Sequence, residues 1–302
     1  MLAILTRAGC FIAIILLGFL LRKAGLFRDQ DFPVLSNLVI KVTLPASIIA
    51  GFAGKQLDPT LLSLAVIGLL ADVIHMGAAW VLNRRKSKEQ LAFDMINTPG
   101  YSIGTFTMPF VQSFLGPAGV IAVSLFDVGN ACICLGTTCS ISKTILSGSG
   151  FSLKRTGLSL LKSVPFVCYI IMVILNLAHI SLPAPVISFA EIIGNANAFL
   201  AMFMIGVGLK LNFKGSQLGR IFRILAVRLG LAVILSLLCW FCLPFDRITR
   251  LVLVIMFFSP IGSTAPAFTG EVKGDVGLAS AVNSVSIIIS IVIIVTLMVT
   301  IV

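Results

Sequence analysis

The fold is decided by one stretch of the chain, Asn97-Thr98-Pro99-Gly100-Tyr101-Ser102-Ile103-Gly104-Thr105-Phe106-Thr107-Met108-Pro109, which lies inside a long apolar region. It holds two prolines, two glycines and five hydroxyl residues. Proline lacks a backbone donor and its ring clashes with the preceding turn, so this stretch cannot form an uninterrupted helix. Irregular backbone inside a membrane persists only where it is buried in protein or lines a wet cavity. The stretch therefore predicts a broken helix at a functional position.

A second stretch of the same kind, Ser259-Pro260-Ile261-Gly262-Ser263-Thr264-Ala265-Pro266, lies near the other end of the chain. Two interrupted apolar segments at corresponding places in two halves indicate the substrate site of a transporter. The N-terminal ends of half-helices expose backbone donors and carry partial positive charge, so they attract anions. We predict that the two breaks meet at the membrane midplane and bind an anion together, through Asn97, Thr98, Pro99, Tyr101, Ser102, Ser259, Pro260, Ser263 and Thr264. The alternative is that the breaks only ease packing.

The composition is that of a polytopic membrane protein. Hydrophobic residues make up 58% of the chain and charged residues 11%, and the mean hydropathy is +1.12. Apolar runs of about 20 residues, enough to span a bilayer as helix, recur along the whole chain. The net charge of +11 does not indicate a nucleic-acid partner, because the basic residues lie between apolar runs. The seven cysteines lack neighbouring ligand residues, so we expect no metal site and no cofactor.

The apolar runs predict an all-α membrane protein of about ten transmembrane helices, five in each half. The halves cover residues 1–147 and 157–302, and the polar connector at 148–156 separates them. Five helices per half bring the second half into the membrane from the opposite side, so the repeat is predicted to be inverted. The predicted helices are 2–21, 31–52 with a kink at Pro45, 59–83, a broken helix 4 from 89 to 114, 119–147, 157–178, 185–211, 219–241, a broken helix 9 from 247, and 276–302.

Similar polar faces follow the two breaks. Ser124, Asp127 and Asn130 recur every third residue in predicted helix 5, and Ser280, Asn283 and Ser286 do the same in predicted helix 10. Residues at this spacing lie on nearly one face of a helix. We interpret Asp127, Asn130, Ser280 and Asn283 as a polar face that serves coupling of transport to an ion.

At this point the chain resembles the auxin efflux carrier family, whose bacterial branch includes malate and malonate permeases. The matching residues are Arg22-Lys23-x-Gly25-Leu26, Leu44-Pro45-Ala46, the Asn97, Gly100, Gly104 and Pro109 break, and Phe126-Asp127-x-Gly129-Asn130. The extra Pro99 and the longer gap to Pro109 depart from the usual pattern. The resemblance implies an inverted repeat with helices 4 and 9 crossing at their breaks. It also implies a scaffold of helices 1, 2, 6 and 7 and a moving transport domain of helices 3–5 and 8–10. The family itself is related to the bile acid/sodium symporter superfamily.

Several ionisable residues within apolar runs are candidates for chemistry, since such groups are costly and are functional or paired. Asp127 could carry a proton or a cation, or be a structural carboxylate. Lys41 could neutralise a substrate carboxylate, or extend its amine to the interface. Asp72 and His75 could form a proton relay, but a satisfied pair near the interface is the preferred interpretation. We expect Arg228 and Glu191 to pair or to face headgroups, and Gly206 to permit close helix packing.

The function predicted from these features is secondary transport of small organic anions, carboxylates above all, by alternating access. One alternative is a sodium-coupled symporter of the bile acid type, and proton or sodium coupling stays open. Another is an intramembrane enzyme using Asp72 and His75, although no nucleophile accompanies them; a sensor or channel is the third. We expect an integral protein of the bacterial cytoplasmic membrane, surrounded by lipid, with a homodimer through the scaffold helices as a further expectation.

The distribution of basic residues predicts that both termini face away from the cytoplasm, because cytoplasmic loops carry the excess of Lys and Arg. One side holds only Arg7, Lys55, Arg247 and Arg250; the other holds Arg22, Lys23, Arg28, Arg84, Arg85, Lys86, Lys88, Lys143, Lys154, Arg155, Lys162, Lys210, Lys214, Arg220, Arg223 and Lys273. A periplasm-active reporter fused after Val302 should be active, and the same reporter inserted in the 84–88 loop should be silent. The reverse pattern would invert the assigned topology.

Overall fold

A computed structural model describes residues 2–28, 30–148, 153–210 and 215–301, and within these ranges the chain is helical without β-strands. The single β-type contact there is an isolated antiparallel bridge between Tyr101 and Ile261. Seven helical stretches of the described residues are long and apolar enough to cross a membrane. They are Leu5–Lys23, Phe32–Phe52, Pro59–Asn83, Ile103–Ser147, Ala184–Gly208, Gly215–Cys242 and Val276–Thr300. The predicted class, an all-α membrane protein, is thereby confirmed.

The first two membrane segments are α1 (Leu2–Lys23) and an interrupted helix made of α2 (Phe32–Leu38), a π-helical turn (Val39–Thr43) and α3 (Leu44–Phe52). The irregular turn comes immediately before Pro45, where a kink is predicted. The proline ring cannot accept a regular preceding turn, which explains its position. The hydroxyl of Thr43 in this turn donates to the Asn197 side chain, 2.9 Å away.

The next helices begin at side-chain caps. The Asp58 carboxylate accepts the backbone N–H of Thr60 at the 3₁₀ turn Pro59–Leu62, which leads into α4 (Ser63–Asn83). Ser87 caps α5 (Lys88–Asn97) in the same way, through the N–H of Gln90. These side chains satisfy donors that the first turn of a helix leaves open. The starts of both helices therefore agree with the predicted ones.

The chain after α5 is irregular up to Ser102 and then forms a π-helical turn (Ile103–Thr107) and α6 (Met108–Cys132). Gly116, with φ of 63°, bends α6 sharply just before Pro117. The bend falls between the end of predicted helix 4 and the start of predicted helix 5. Predicted helix 5, given as uninterrupted, is wrong further along, because another π-helical turn, Ile133–Thr137, interrupts it at Gly136 before α7 (Thr138–Ser147) completes it.

The second half contains α8 (Leu153–Leu161), α9 (Val164–Leu177), α10 (Ala184–Asn195), α11 (Asn197–Gly208), α12 (Leu218–Cys242), α13 (Arg247–Phe257), α14 (Ala265–Glu271) and α15 (Val276–Ile301). Predicted helix 6 is wrong as one helix, because Ser163 caps a new helix that has Pro165 in its first turn. Predicted helix 7 is divided at Ala196. Residues 149–152 of the predicted connector and Lys214 lie outside the described residues, and 153–156 are helical.

Glycines allow several helix pairs to approach until backbone meets backbone. A Cβ added at Gly18 or Gly206 would overlap the backbone of the facing helix in the α1–α11 pair, at Phe203 and Ile15 respectively. Gly194 of α10 lies against the backbone of α3 in the same way. The α4–α6 pair repeats the pattern, with Gly68 against Phe126 and Gly129 against Ala65. Small residues at helix interfaces are the usual means of close packing in membranes, and the packing role predicted for Gly206 fits this geometry.

Substituting Gly206 with alanine should therefore destabilise the protein by roughly 1–3 kcal/mol, because the methyl group would force α1 and α11 apart. Gly230→Ala is the matched control, since nothing lies within 4 Å of a Cβ at this glycine. The control should be neutral or stabilising by up to about 1 kcal/mol, through better helix propensity. Thermal unfolding in detergent compares the two variants. Equal stability would show that the α1–α11 approach tolerates a larger residue.

Candidate functional site

The two helix breaks cross and bond to each other through their backbones. The N–H of Ser102 donates to the carbonyl of Pro260 over 2.9 Å, and the N–H of Gly262 donates to the carbonyl of Gly100 over 3.3 Å. Gly100 has φ of 84°, a conformation that residues with a side chain rarely adopt. The two breaks are therefore in contact, while their place at the membrane midplane and an anion site between them stay predictions. Backbone groups freed from the helices thus find partners in each other, as burial away from water requires.

An asparagine from a later helix bonds to each break, Asn130 of α6 to the first and Asn283 of α15 to the second. The side chain of Asn130 accepts the N–H of Tyr101 over 2.9 Å and donates to the carbonyl of the same residue over 3.0 Å. The amide of Asn283 donates to the carbonyls of Ile261 and Gly262, at 3.2 and 3.3 Å. The two residues of the antiparallel bridge, Tyr101 and Ile261, are therefore the ones that the asparagines hold. The matching polar faces identified in the sequence lie at the crossing.

Arg228, in the middle of apolar helix α12, joins the two breaks from one side. Its guanidinium donates to the carbonyl of Thr98, to that of Gly100 at 3.1 Å and to that of Ser259 at 3.2 Å. The side chain is buried, and its charged group lies 5.2 Å from the centre of the Tyr101 ring. The expectation that Arg228 pairs with Glu191 or faces headgroups is wrong. The cation lies at the C-terminal ends of α5 and α13, where exposed carbonyls carry partial negative charge.

Asp72 and His75 of α4 also bind the first break. The Asp72 carboxylate accepts the N–H of Gly100 over 2.7 Å, and the His75 ring contacts the carbonyl of Ala71 at 2.8 Å and the Tyr101 hydroxyl at 3.2 Å. Both side chains are fully buried, and among the described residues one oxygen of Asp72 has no hydrogen-bond partner. The expected satisfied pair near the interface is therefore wrong. Each residue bonds to the break rather than to the other.

Two cavities adjoin the crossing on the side of the helix N-terminal ends. Cavity 1 has a volume of about 320 Å³ and cavity 2 of about 100 Å³. Ser102, Thr105 and Ser263 line both. Cavity 1 is further lined by Phe32, Phe106, Met204, Ile205, Val207, Gly208, Lys210, Pro266, Ala267, Val276, Ser280, Asn283, Ser284 and Ile287. The breaks therefore bond to Arg228 and Asp72 and also leave space for a small molecule beside Ser102, Thr105 and Ser263.

Comparison with known proteins agrees with this architecture. Residues 10–147 match the family described as membrane transport protein, which is the auxin efflux carrier family. The matched range covers slightly less than half of the chain. No curated protein matches the chain. The first broken helix lies inside the matched range, and the match indicates a membrane transporter.

Asp127 lies in cavity 2 of this transporter and is bonded on both oxygens. One accepts from the Asn130 amide over 2.7 Å, and the other from the Tyr169 hydroxyl of α9 over 2.9 Å. Tyr169 did not stand out in the sequence, because a single tyrosine in an apolar helix gives no signal. A carboxylate in a cavity lined by hydroxyl groups can hold a proton or bind a small cation.

The remaining predicted site residues divide between the two sides. Thr264 lines cavity 2, and its hydroxyl donates to the carbonyl of Cys134 at 3.4 Å. Asn97 is fully buried and donates to the carbonyl of Phe93 and the hydroxyl of Thr269. Five of the predicted binding residues are buried and line neither cavity: Asn97, Thr98, Pro99, Ser259 and Pro260.

The lysine that lines a cavity is not the one predicted from the sequence. Lys41 has an exposed side chain and lines neither cavity. Lys210 lines cavity 1, although the sequence marked it only as a loop charge, and its N–H donates to the hydroxyl of Ser284 over 2.9 Å. Nothing in the sequence distinguishes it from the other basic residues between helices.

Arg228→Met should destabilise the protein by about 3–5 kcal/mol, because it strands buried carbonyls and leaves the Asp72 carboxylate without the cation that attracts it. Lys41→Met, which removes an exposed cation, should stay within about 0.5 kcal/mol. Adding Asp72→Asn to Arg228→Met should recover part of the loss, which thermal unfolding in detergent would measure. Strict additivity of the two substitutions would show that these residues act independently.

Proposed function

We propose that the protein is a secondary transporter that carries a small organic anion through cavity 1 by alternating access. The crossing of the two breaks beside this cavity is the observation that carries the proposal. We further propose that the ten predicted helices form two inverted repeats. Support comes from corresponding contacts: each break is bonded to an asparagine on the helix that follows, and the breaks pair antiparallel.

The electrostatics of the crossing favour an anion. The first turn after the first break lies at the cavities, where Ser102, Thr105 and Phe106 line cavity 1. Half-helix N-termini carry partial positive charge, and hydroxyl groups add hydrogen bonds without adding charge. Lys210 is the one charged side chain among the described residues that line cavity 1. A carboxylate fits this combination of one cation, hydroxyl groups and a positive helix end.

The walls of cavity 1 favour an anion with an apolar body. Phe32, Phe106, Met204, Ile205 and Ile287 contribute hydrocarbon surface, and Lys210 is the one cation among the described lining residues. A dicarboxylate such as malate would place its second charge against these apolar walls, at a cost that no second cation offsets. We therefore favour a monocarboxylate over the dicarboxylates that the resemblance implies.

The position of Arg228 favours proton coupling over sodium coupling. The carbonyls of Thr98, Gly100 and Ser259 are the oxygen ligands that a bound cation would use at the crossing, and the guanidinium already binds them. Asp127 in cavity 2 is the group that would repel an anion held at the shared residues Ser102 and Ser263. A proton on Asp127 removes this repulsion. Proton and anion would thus bind together.

Under this proposal, the Asp127–Tyr169 hydrogen bond joins the moving transport domain to the scaffold. Asp127 belongs to the transport domain of helices 3–5 and 8–10, and Tyr169 to the scaffold of helices 1, 2, 6 and 7. Any sliding of one part along the other must break this bond. Protonation of Asp127 weakens it, because a charged acceptor forms the stronger hydrogen bond. Proton binding would therefore both admit the anion and release the transport domain.

Uptake into proteoliposomes tests the proposal. Monocarboxylates with apolar bodies, dicarboxylates and neutral amides of the same shape would be supplied under separately imposed pH and sodium gradients. We expect uptake of the monocarboxylate, driven by the pH gradient and indifferent to sodium. The Ser102→Ala/Ser263→Ala variant should bind more weakly, by on the order of 1–3 kcal/mol for each lost bond to a charged ligand, and Ser181→Ala serves as an exposed control. Transport of the neutral amide at the same rate would exclude an anion site.

Asp127→Asn should abolish transport or separate it from the pH gradient while the protein stays folded, because the amide cannot take up the proton. Tyr169→Phe is the matched variant, since it removes the same hydrogen bond and keeps the carboxylate. It should still respond to pH. The initial uptake rate as a function of pH measures both variants. Normal pH-dependent transport by Asp127→Asn would assign the carboxylate a structural role.

A further inference from the structure

The short helix α8, between the two halves of the chain, exposes a stripe that combines lysine and leucine. Lys154, Leu158, Leu161 and Lys162 follow one another at helical spacing, so they share one face. Leu158 is 48% exposed and Leu161 69% exposed, and both lysines are exposed. An apolar centre with a cation at each end is typical of a helix that lies at the boundary between headgroups and acyl chains.

The opposite face of α8 is fixed to the protein. Thr156 is buried, and Ser159 lies against the helix bend at Gly136, where an added Cβ would be 3.4 Å from its Cβ and Oγ atoms. The helix therefore cannot turn its leucines inward without losing this contact. Its orientation presents the Lys and Leu stripe outward in every copy of the protein.

The charges of α8 and the composition of the next helix place α8 at the membrane surface. Helix α9 (Val164–Leu177) contains no charged residue, whereas α8 and the residue after it carry Lys154 and Lys162, which are costly inside the hydrocarbon core. The boundary of the apolar segment therefore falls near Ser163. Ser163, which caps α9, directly follows Lys162, and this ties α8 to the end of the short helix. The leucines then reach the acyl chains while the lysines reach the phosphates.

We propose that α8 and Lys162 form a binding site for anionic phospholipid headgroups of the surrounding bilayer. The two lysines supply the charge and the two leucines the anchor. The site adjoins the wall of cavity 2, because Ser163, Pro165 and Phe166 line that cavity. It concerns the bilayer rather than the transported molecule, so it does not depend on the proposed function.

The test measures lipid binding by the purified full-length protein in mild detergent, without any transport assay. Phosphatidylglycerol and phosphatidylcholine with the same acyl chains are titrated, and thermal stabilisation and retained lipid are recorded, the latter by native mass spectrometry. A lysine near an anionic surface contributes about fivefold in affinity, so Lys154→Gln/Lys162→Gln should reduce the preference for phosphatidylglycerol by on the order of 25-fold. High salt should reduce it in the wild type.

Two further variants define the site. Lys86→Gln/Lys88→Gln removes the same charge from another exposed loop and should keep the preference. Leu158→Ser/Leu161→Ser should weaken the binding of both lipids. The proposal is overturned if the wild type shows no preference between the lipids, or if the control pair loses as much as the α8 pair. A change of oligomeric state with unchanged lipid retention would assign this face to a second copy of the chain.

Discussion

Backbone groups inside a membrane have no water to bond, and this constraint governs the whole centre of the molecule. Two helices are broken at prolines and glycines, and each break frees N–H and carbonyl groups in an apolar surrounding. The structure satisfies them by crossing the breaks, so that Ser102 and Gly262 each donate to a carbonyl of the other break. Side chains from other helices complete the set. The polar residues of this apolar chain are concentrated there for that reason.

The backbone of Gly100 bonds to two buried charged side chains at once. Asp72 accepts its N–H, and Arg228 donates to its carbonyl. An anion and a cation thus bind opposite ends of one residue, and each reduces the cost of burying the other. The helices that carry them, α4 and α12, belong to different halves of the chain. The crossing is therefore held from both halves at once.

Local chemistry could be predicted from the sequence, and partners across helices could not. Pro99, Gly100 and Pro260 act on their own backbone, so the breaks were evident, as were the starts of helices at Pro59 and Arg247. Arg228 and Tyr169 act on groups more than thirty positions away, and nothing near them in sequence reveals these partners. The same limit explains the error on Asp72 and His75, whose spacing suggested a pair. Helix 6 was misjudged because Ser163 and Pro165, which begin a new helix, lie inside a run long enough to be one membrane helix.

The glycine contacts differ in kind between parts of the molecule. Gly18 and Gly206 in one helix pair, and Gly68 and Gly129 in another, meet the backbone of the facing helix. Gly51 and Gly104 instead face the ends of side chains, those of Val120 and Leu44. Backbone contacts fix the separation of two helices, whereas the ends of side chains can change rotamer. Under the proposed alternating access, the glycines that face side-chain ends would line the surface along which the transport domain slides, and those that face backbone would hold each domain rigid.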